Sequence, residues 1–119
     1  MSGTYTSLLY HFVFNTKHRE PLILPSVRDD LYVYLGGLVR AQNGTAHVIG
    51  GMPDHVHLLV TLKSEPSIAE FVKVLKAKSS KWANENRLIG GRFSWQVGYG
   101  AFTVSQSQQS RVHAYITNQ

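Results

Sequence analysis

TAHVIGGMPDHVHLLVTL, residues 45–62, is the stretch whose reading decides the fold. Thr45 to Gly50 reads as one strand and His55 to Leu62 as another, both rich in β-branched and apolar residues. Between them, Gly51-Met52-Pro53-Asp54 carries the residue types of a tight turn: glycine tolerates unusual φ, and proline fixes its own. Two strands joined so closely pair as an antiparallel hairpin.

Upstream, Thr4 to Asn15 (TYTSLLYHFVFN) predicts a first strand, and Lys17 to Pro21 a charged, proline-bounded connection. A helix is expected next, with Ser26 as its N-cap and Asp29 as the acidic partner three residues on. Leu31, Val33, Tyr34, Leu35, Leu38 and Val39 keep a helical period, and Asn43-Gly44 ends it. Downstream, Ser67 and Glu70 repeat the capping spacing ahead of a long helix from Ile68 to Asn86. Gly90-Gly91 breaks the chain. Phe93 to Val104 reads as a final strand bent at Gly98 and Gly100. A polar link begins at Ser105, and Gln108 to Gln119 reads as a short closing helix.

The order is β-α-β-β-α-β-α. Its first six elements match the split-βαβ, ferredoxin-like plan: an α+β fold with an antiparallel sheet and two helices on one face. The seventh is an added C-terminal helix. The 119 residues suit a single domain, 1–119, with no internal repeat.

Composition narrows the function. Hydrophobic residues are 43% of the chain, enough for a packed core. No cysteine is present, which removes disulfides, thiolate metal sites and a cysteine nucleophile together and suits the cytoplasm. No stretch approaches the roughly 20 apolar residues that span a bilayer, and Met1 to Tyr10 lacks a signal peptide's pattern. The net charge of +5 and pI of about 9.7 favour a polyanionic partner, a nucleic acid or an anionic surface.

The chemistry-bearing residues are few. Strand side chains alternate, so His55 and His57 project from one face, and two neutral imidazoles there can ligate one divalent metal with help from elsewhere in the fold. The same pair also suits a solvated strand face. Tyr115 and Gln119, at i and i+4, share a face of the closing helix. A tyrosine phenolate can attack a phosphodiester and keep its bond energy in a phosphotyrosine, and an amide oxygen suits a hard cation. A core or interface aromatic is the other reading of Tyr115. Lys73, Lys76 and Lys81 lie on or beside one stripe of the second long helix, as phosphate contacts require and as a solvated face also allows. Trp95, Tyr99 and Phe102 suit base stacking or the core, and for Trp95 the core is preferred.

Four segments in order carry a resemblance: GGMPDHVHLLV (50–60), KAKSSKW (76–82), FSWQVGYGAFTVS (93–105) and YITNQ (115–119), with YHFVFNTKHREPLI (10–23) as an opening strand. Together they closely resemble the single-tyrosine HUH transposases, the IS200-like enzymes of bacterial insertion sequences that move as single-stranded DNA. The resemblance implies that His55, His57 and Gln119 hold Mg²⁺ or Mn²⁺ and that Tyr115 is catalytic. It implies cleavage and rejoining of single-stranded DNA through a 5′-phosphotyrosine, recognition of hairpins at element ends, and a guide segment in the DNA that helps choose the cleavage site. It implies a homodimer with sheets joined across a two-fold axis, in which Tyr115 of one protomer can meet the histidines of its partner. Family members usually continue past the tyrosine helix, so a chain ending at Gln119 is expected to lack the usual tail. A truncated or degenerate member that only binds hairpins is the alternative within the family. Outside it stands an RNA-binding module on a ferredoxin-like sheet, a class with no use for the His-x-His pair.

Overall fold

The computed structural model describes residues 7–86 and 91–119. The seven elements fall in the expected order: β1 (Ser7–Asn15), α1 (Pro25–Ala41), β2 (Thr45–Met52), β3 (His55–Lys63), α2 (Ile68–Glu85), β4 (Gly100–Val104) and α3 (Gln109–Thr117). The strands form one antiparallel sheet in the order β2-β3-β1-β4, the ferredoxin-like arrangement.

Strand parity divides the sheet into two faces. Phe12 and Phe14 of β1 and Val56, Leu58, Val60 and Leu62 of β3 point to one face. There they join Leu31, Leu35 and Val39 of α1 and Phe71, Val72 and Leu75 of α2 in the buried core. Each fully buried Phe or Leu contributes on the order of 1.5–3 kcal/mol, so this face supplies most of the stability. The other parity set, His11, Val13 and Asn15 on β1 and His55 and His57 on β3, faces away from α1 and α2.

Three expectations need correcting. Ser26 does not cap α1: Leu24 is the N-cap, with no side-chain bond, and Pro25 occupies the first turn, where its missing N–H costs nothing. The expected capping box at the second helix does form, Ser67 Oγ accepting from Glu70 N at 3.2 Å. The strand expected over Phe93–Val104 begins only at Gly100. Before it, a single antiparallel bridge joins Trp95 to Thr16, and side chains of α2 hold the flanking backbone groups. Asn84 bonds both the N–H and the carbonyl of Phe93 (2.7 and 3.0 Å), and Lys76 Nζ donates to the carbonyls of Gln96 and Gly98 (2.6 and 2.8 Å). Third, β2 runs to Met52, so the hairpin turn shrinks to Pro53-Asp54. Thr4 to Thr6 of the expected first strand, and Gly90, lie outside the described residues.

Among the described residues no helix is long and apolar enough to cross a membrane.

Candidate active site

α3 lies on the face of the sheet opposite α1 and α2, and a glycine lets it do so. Gly50 on β2 is the direct cross-strand neighbour of His57. A Cβ there would stand 2.5 Å from the Ile116 carbonyl oxygen and 3.0 Å from its Cγ2. The bare glycine therefore admits the last turns of α3 against β2, where Ile116 is fully buried. Ile116 being fixed, Tyr115 falls toward the middle of the sheet and Gln119 toward His55 at the start of β3.

The result is a cluster. The Tyr115 ring stands edge-on to His57, with centroids 5.6 Å apart, and to His11 at 6.4 Å. Gln119 Oε1 lies 3.1 Å from His55 Nε2, across 64 residues of sequence. His55, His57, Tyr115 and Gln119 thus meet on one face within a single chain. The tyrosine is 54% exposed, so neither core packing nor shelter from solvent explains its place.

Each histidine has its Nδ1 occupied. His55 Nδ1 faces Asp54 Oδ1 at 2.7 Å, and Arg19 in turn binds the other oxygen of that carboxylate from Nη2 at 3.0 Å and Nε at 3.1 Å. Burial raises the Asp54 carboxyl, but the bonds from His55 and Arg19 outweigh it and hold its pKa below the usual range. His57 Nδ1 faces His11 Nε2 at 2.8 Å. A ring nitrogen held this way fixes tautomer and orientation and leaves Nε2 for a ligand. Asp54 and His11 were not picked out from sequence. The signal for Asp54 was its place beside His55. For His11 it was the parity that sets it apart from Phe12 and Phe14.

His57 is buried, and its pKa is pushed down to about 4 by that burial first, then by the neighbouring His11 and His55 rings; the Gln119 carboxamide opposes the shift. Burial also lowers His11. Between about pH 4 and the ordinary value of 6.5 the folded state therefore binds fewer protons than the unfolded chain, and stability rises with pH. In denaturant titrations without divalent metal, stability is expected to fall as pH drops from 6.5 to 4, and more shallowly for His57→Gln. Equal slopes for the two proteins would contradict the shift.

The donor set fits a divalent metal. With Nδ1–H given to Asp54, the Nε2 lone pair of His55 and the oxygen of Gln119 face one another as two acceptors, an arrangement that a cation between them satisfies. Neutral His57 adds a second nitrogen. Among the described residues no group of three or more His, Cys, Asp or Glu side chains is arranged to hold a metal. Gln119 is the further side chain that would complete such a set beside the two histidines. Two imidazoles and one amide oxygen suit Mn²⁺ at least as well as Mg²⁺ and leave positions open.

The three lysines do not join this cluster. Lys73 and Lys81 are exposed on α2, across the sheet from the histidines. Lys76 is half-buried, its ammonium bound to the Gln96 and Gly98 carbonyls and 6.0 Å from the centre of the Phe14 ring. Trp95 is buried, its Nε1 donating to Ser79 Oγ at 2.9 Å, while Tyr99 and Phe102 are 43% and 57% exposed.

Comparison with known proteins turns this geometry into a family. The model of the family described as "Transposase IS200 like" matches residues 4–119. The chain belongs to the IS200-like transposase family. It is 32% identical to the ISDra2 transposase TnpA of Deinococcus radiodurans over 124 residues, covering 98% of this chain and 87% of that protein. A crystal structure of a Deinococcus radiodurans R1 protein described as a transposase superposes with a TM-score of 0.78 at 29% identity, over 100% of this chain and 95% of that one. A REP-associated tyrosine transposase bound to a REP hairpin gives a TM-score of 0.71 at 15% identity, over 98% of this chain and 68% of that one, a likeness of fold. The superposed structures bear out the α+β sheet with its added C-terminal helix, and the family makes the protein a transposase.

Proposed function

We propose that this transposase cleaves and rejoins single-stranded DNA with Tyr115 as nucleophile and His55, His57 and Gln119 as ligands of Mg²⁺ or Mn²⁺. The observation that carries the reading is the meeting of these four side chains, from two distant segments, on the sheet face that the core does not use. When bound, the metal would polarise a non-bridging oxygen of the scissile phosphate and offset the charge that develops there. The Tyr115 oxygen attacks phosphorus and gives its proton to solvent at the exposed ring edge. The bond from phosphorus to the 3′-oxygen breaks, and that oxygen takes a proton to leave as a free 3′-OH. A 5′-phosphotyrosine remains, and attack by another 3′-OH reverses the step without external energy. Asp54 and His11 hold the two imidazoles in register throughout.

The substrate we assign is a hairpin with single-stranded flanks at an element's end, in line with the hairpin bound by the REP-associated relative. Exposed Lys73 and Lys81 are assigned to its phosphates, an electrostatic contribution that weakens with salt. Lys76 contributes charge from its clamp position. In this chain the tyrosine docks on its own sheet; in the homodimer we propose, the same docking surface around Gly50 can receive α3 of the partner. Purified protein, Mg²⁺ or Mn²⁺ and hairpin-bearing single-stranded DNA are expected to give a covalent adduct that survives denaturing electrophoresis. No adduct with either metal would overturn the reading in favour of a hairpin-binding protein.

Gly50 should govern how well the nucleophile is placed. Gly50→Ala forces Ile116 and its helix to move, while the core on the other face is untouched. Misplacement by about 1 Å can cost about 10²-fold in rate, so adduct formation should fall by about that factor. Amide exchange in α3 should rise, with core protection unchanged. Wild-type adduct rates in Gly50→Ala would contradict this role.

A further inference from the structure

We propose that a groove beside the histidines is a stacking site for an unpaired base of the single-stranded DNA, within a nucleotide or two of the scissile phosphate. The proposal rests on the strand-transfer reading above for its substrate class, and on separate residues for its site. The groove has a volume of about 330 Å³, within the range of about 300–1,000 Å³ usual for small-ligand sites. Val13 and Gly100, cross-strand neighbours, form its floor, Tyr99 and Phe102 its aromatic wall, and Asn15 and Gln96 its polar end.

Continuity with the catalytic cluster identifies the occupant. Val13 and Asn15 are the cross-strand partners of His57 and His55. Phe102 is the partner of His11, ring centroids 6.1 Å apart, and His11 is 6.4 Å from Tyr115. A strand whose phosphate sits at Tyr115 therefore has bases within reach of this wall. Phe102 and Tyr99, 57% and 43% exposed, are among the large apolar side chains the fold leaves open to solvent.

The groove is also a held shape. Lys76 clamps the Gln96 and Gly98 carbonyls, Gln96 N donates to the Asn15 carbonyl at 2.8 Å, and Lys17 N donates to the Ser94 carbonyl at 3.0 Å. Gln96 Oε1 accepts from His18 N, leaving its amide N–H groups uncommitted, and the Asn15 carboxamide makes no hydrogen bond among the described residues. Aromatic faces with amides at one edge are what single-strand readers present to a base.

The test uses binding without metal or cleavage, so it fails or succeeds apart from the catalytic reading. Fluorescein-labelled (dA)₁₂ and a 12-nucleotide abasic strand are titrated by anisotropy in EDTA. Wild type is expected to bind (dA)₁₂ about 10-fold more tightly than the abasic strand, in keeping with stacking worth about 5- to 150-fold per base. Phe102→Ala should bind both strands alike, Phe102→Trp should restore the preference, and the salt dependence should stay the same in all three. An unchanged preference in Phe102→Ala overturns the proposal. So does a change of oligomeric state in Phe102→Ala by analytical ultracentrifugation, which would make the aromatic wall a contact between copies of the chain.

Discussion

Tyr115→Phe is expected to lose the covalent adduct entirely, by about 10⁴-fold or more, while binding a DNA hairpin within about twofold of wild type. Removal of a nucleophile that acts as one unit with its site costs this much or more in other enzymes. The substitution deletes one oxygen and keeps the ring, so the edge contacts to His57 and His11 remain. The residue is 54% exposed, and its hydroxyl makes no hydrogen bond among the described residues, so folding has little to lose. The proposed attack leaves the tyrosine on the 5′-phosphate of the downstream fragment. A label at the 3′ end of the DNA must therefore travel with the protein, and a 5′ label must not. An adduct formed by Tyr115→Phe would move the nucleophile to another side chain, and a 5′ label on the protein would reverse the polarity.

What the sequence made legible was local. The period-two run from His55 to Leu62 specified both the hairpin and the shared face of the two histidines, and the spacing of Tyr115 and Gln119 specified a shared helix face. The meeting of the two pairs was not legible from either run. It depends on which face of the sheet α3 covers, and Gly50 opposite His57 decides that through an absence of side chain. His11 lay inside an apolar strand, and only the register against β3 brings it to His57. Phe93 to Tyr99 had strand composition, yet it meets the end of β1 only through one antiparallel bridge, Trp95 to Thr16, and Asn84 and Lys76 hold the backbone on either side, a long-range effect that composition does not encode. The same effect turned one lysine of a basic stripe into a clamp.

His57→Ala is expected to remove metal-supported cleavage, by about 10³-fold, and to abolish Mn²⁺ binding measured by titration calorimetry. His57 is the buried member of the proposed ligand set, and burial, which lowers its pKa to about 4, favours the neutral ring that a metal needs. Its loss would leave two of the proposed ligands, one of them on the exposed Gln119, too few for a divalent ion against water. Asp54→Asn is the graded counterpart. It keeps all three proposed ligands but weakens the hold on His55 Nδ1, and a lost outer partner typically costs about 10- to 100-fold in affinity or activity. The order wild type, Asp54→Asn, His57→Ala in Mn²⁺ affinity and in cleavage alike would tie the metal to the chemistry. Cleavage at full rate by His57→Ala, with the adduct still lost in Tyr115→Phe, would keep the nucleophile and take the metal away from this strand. The phosphate would then need another source of charge, and neither Lys73 nor Lys81, across the sheet, stands where it could supply it.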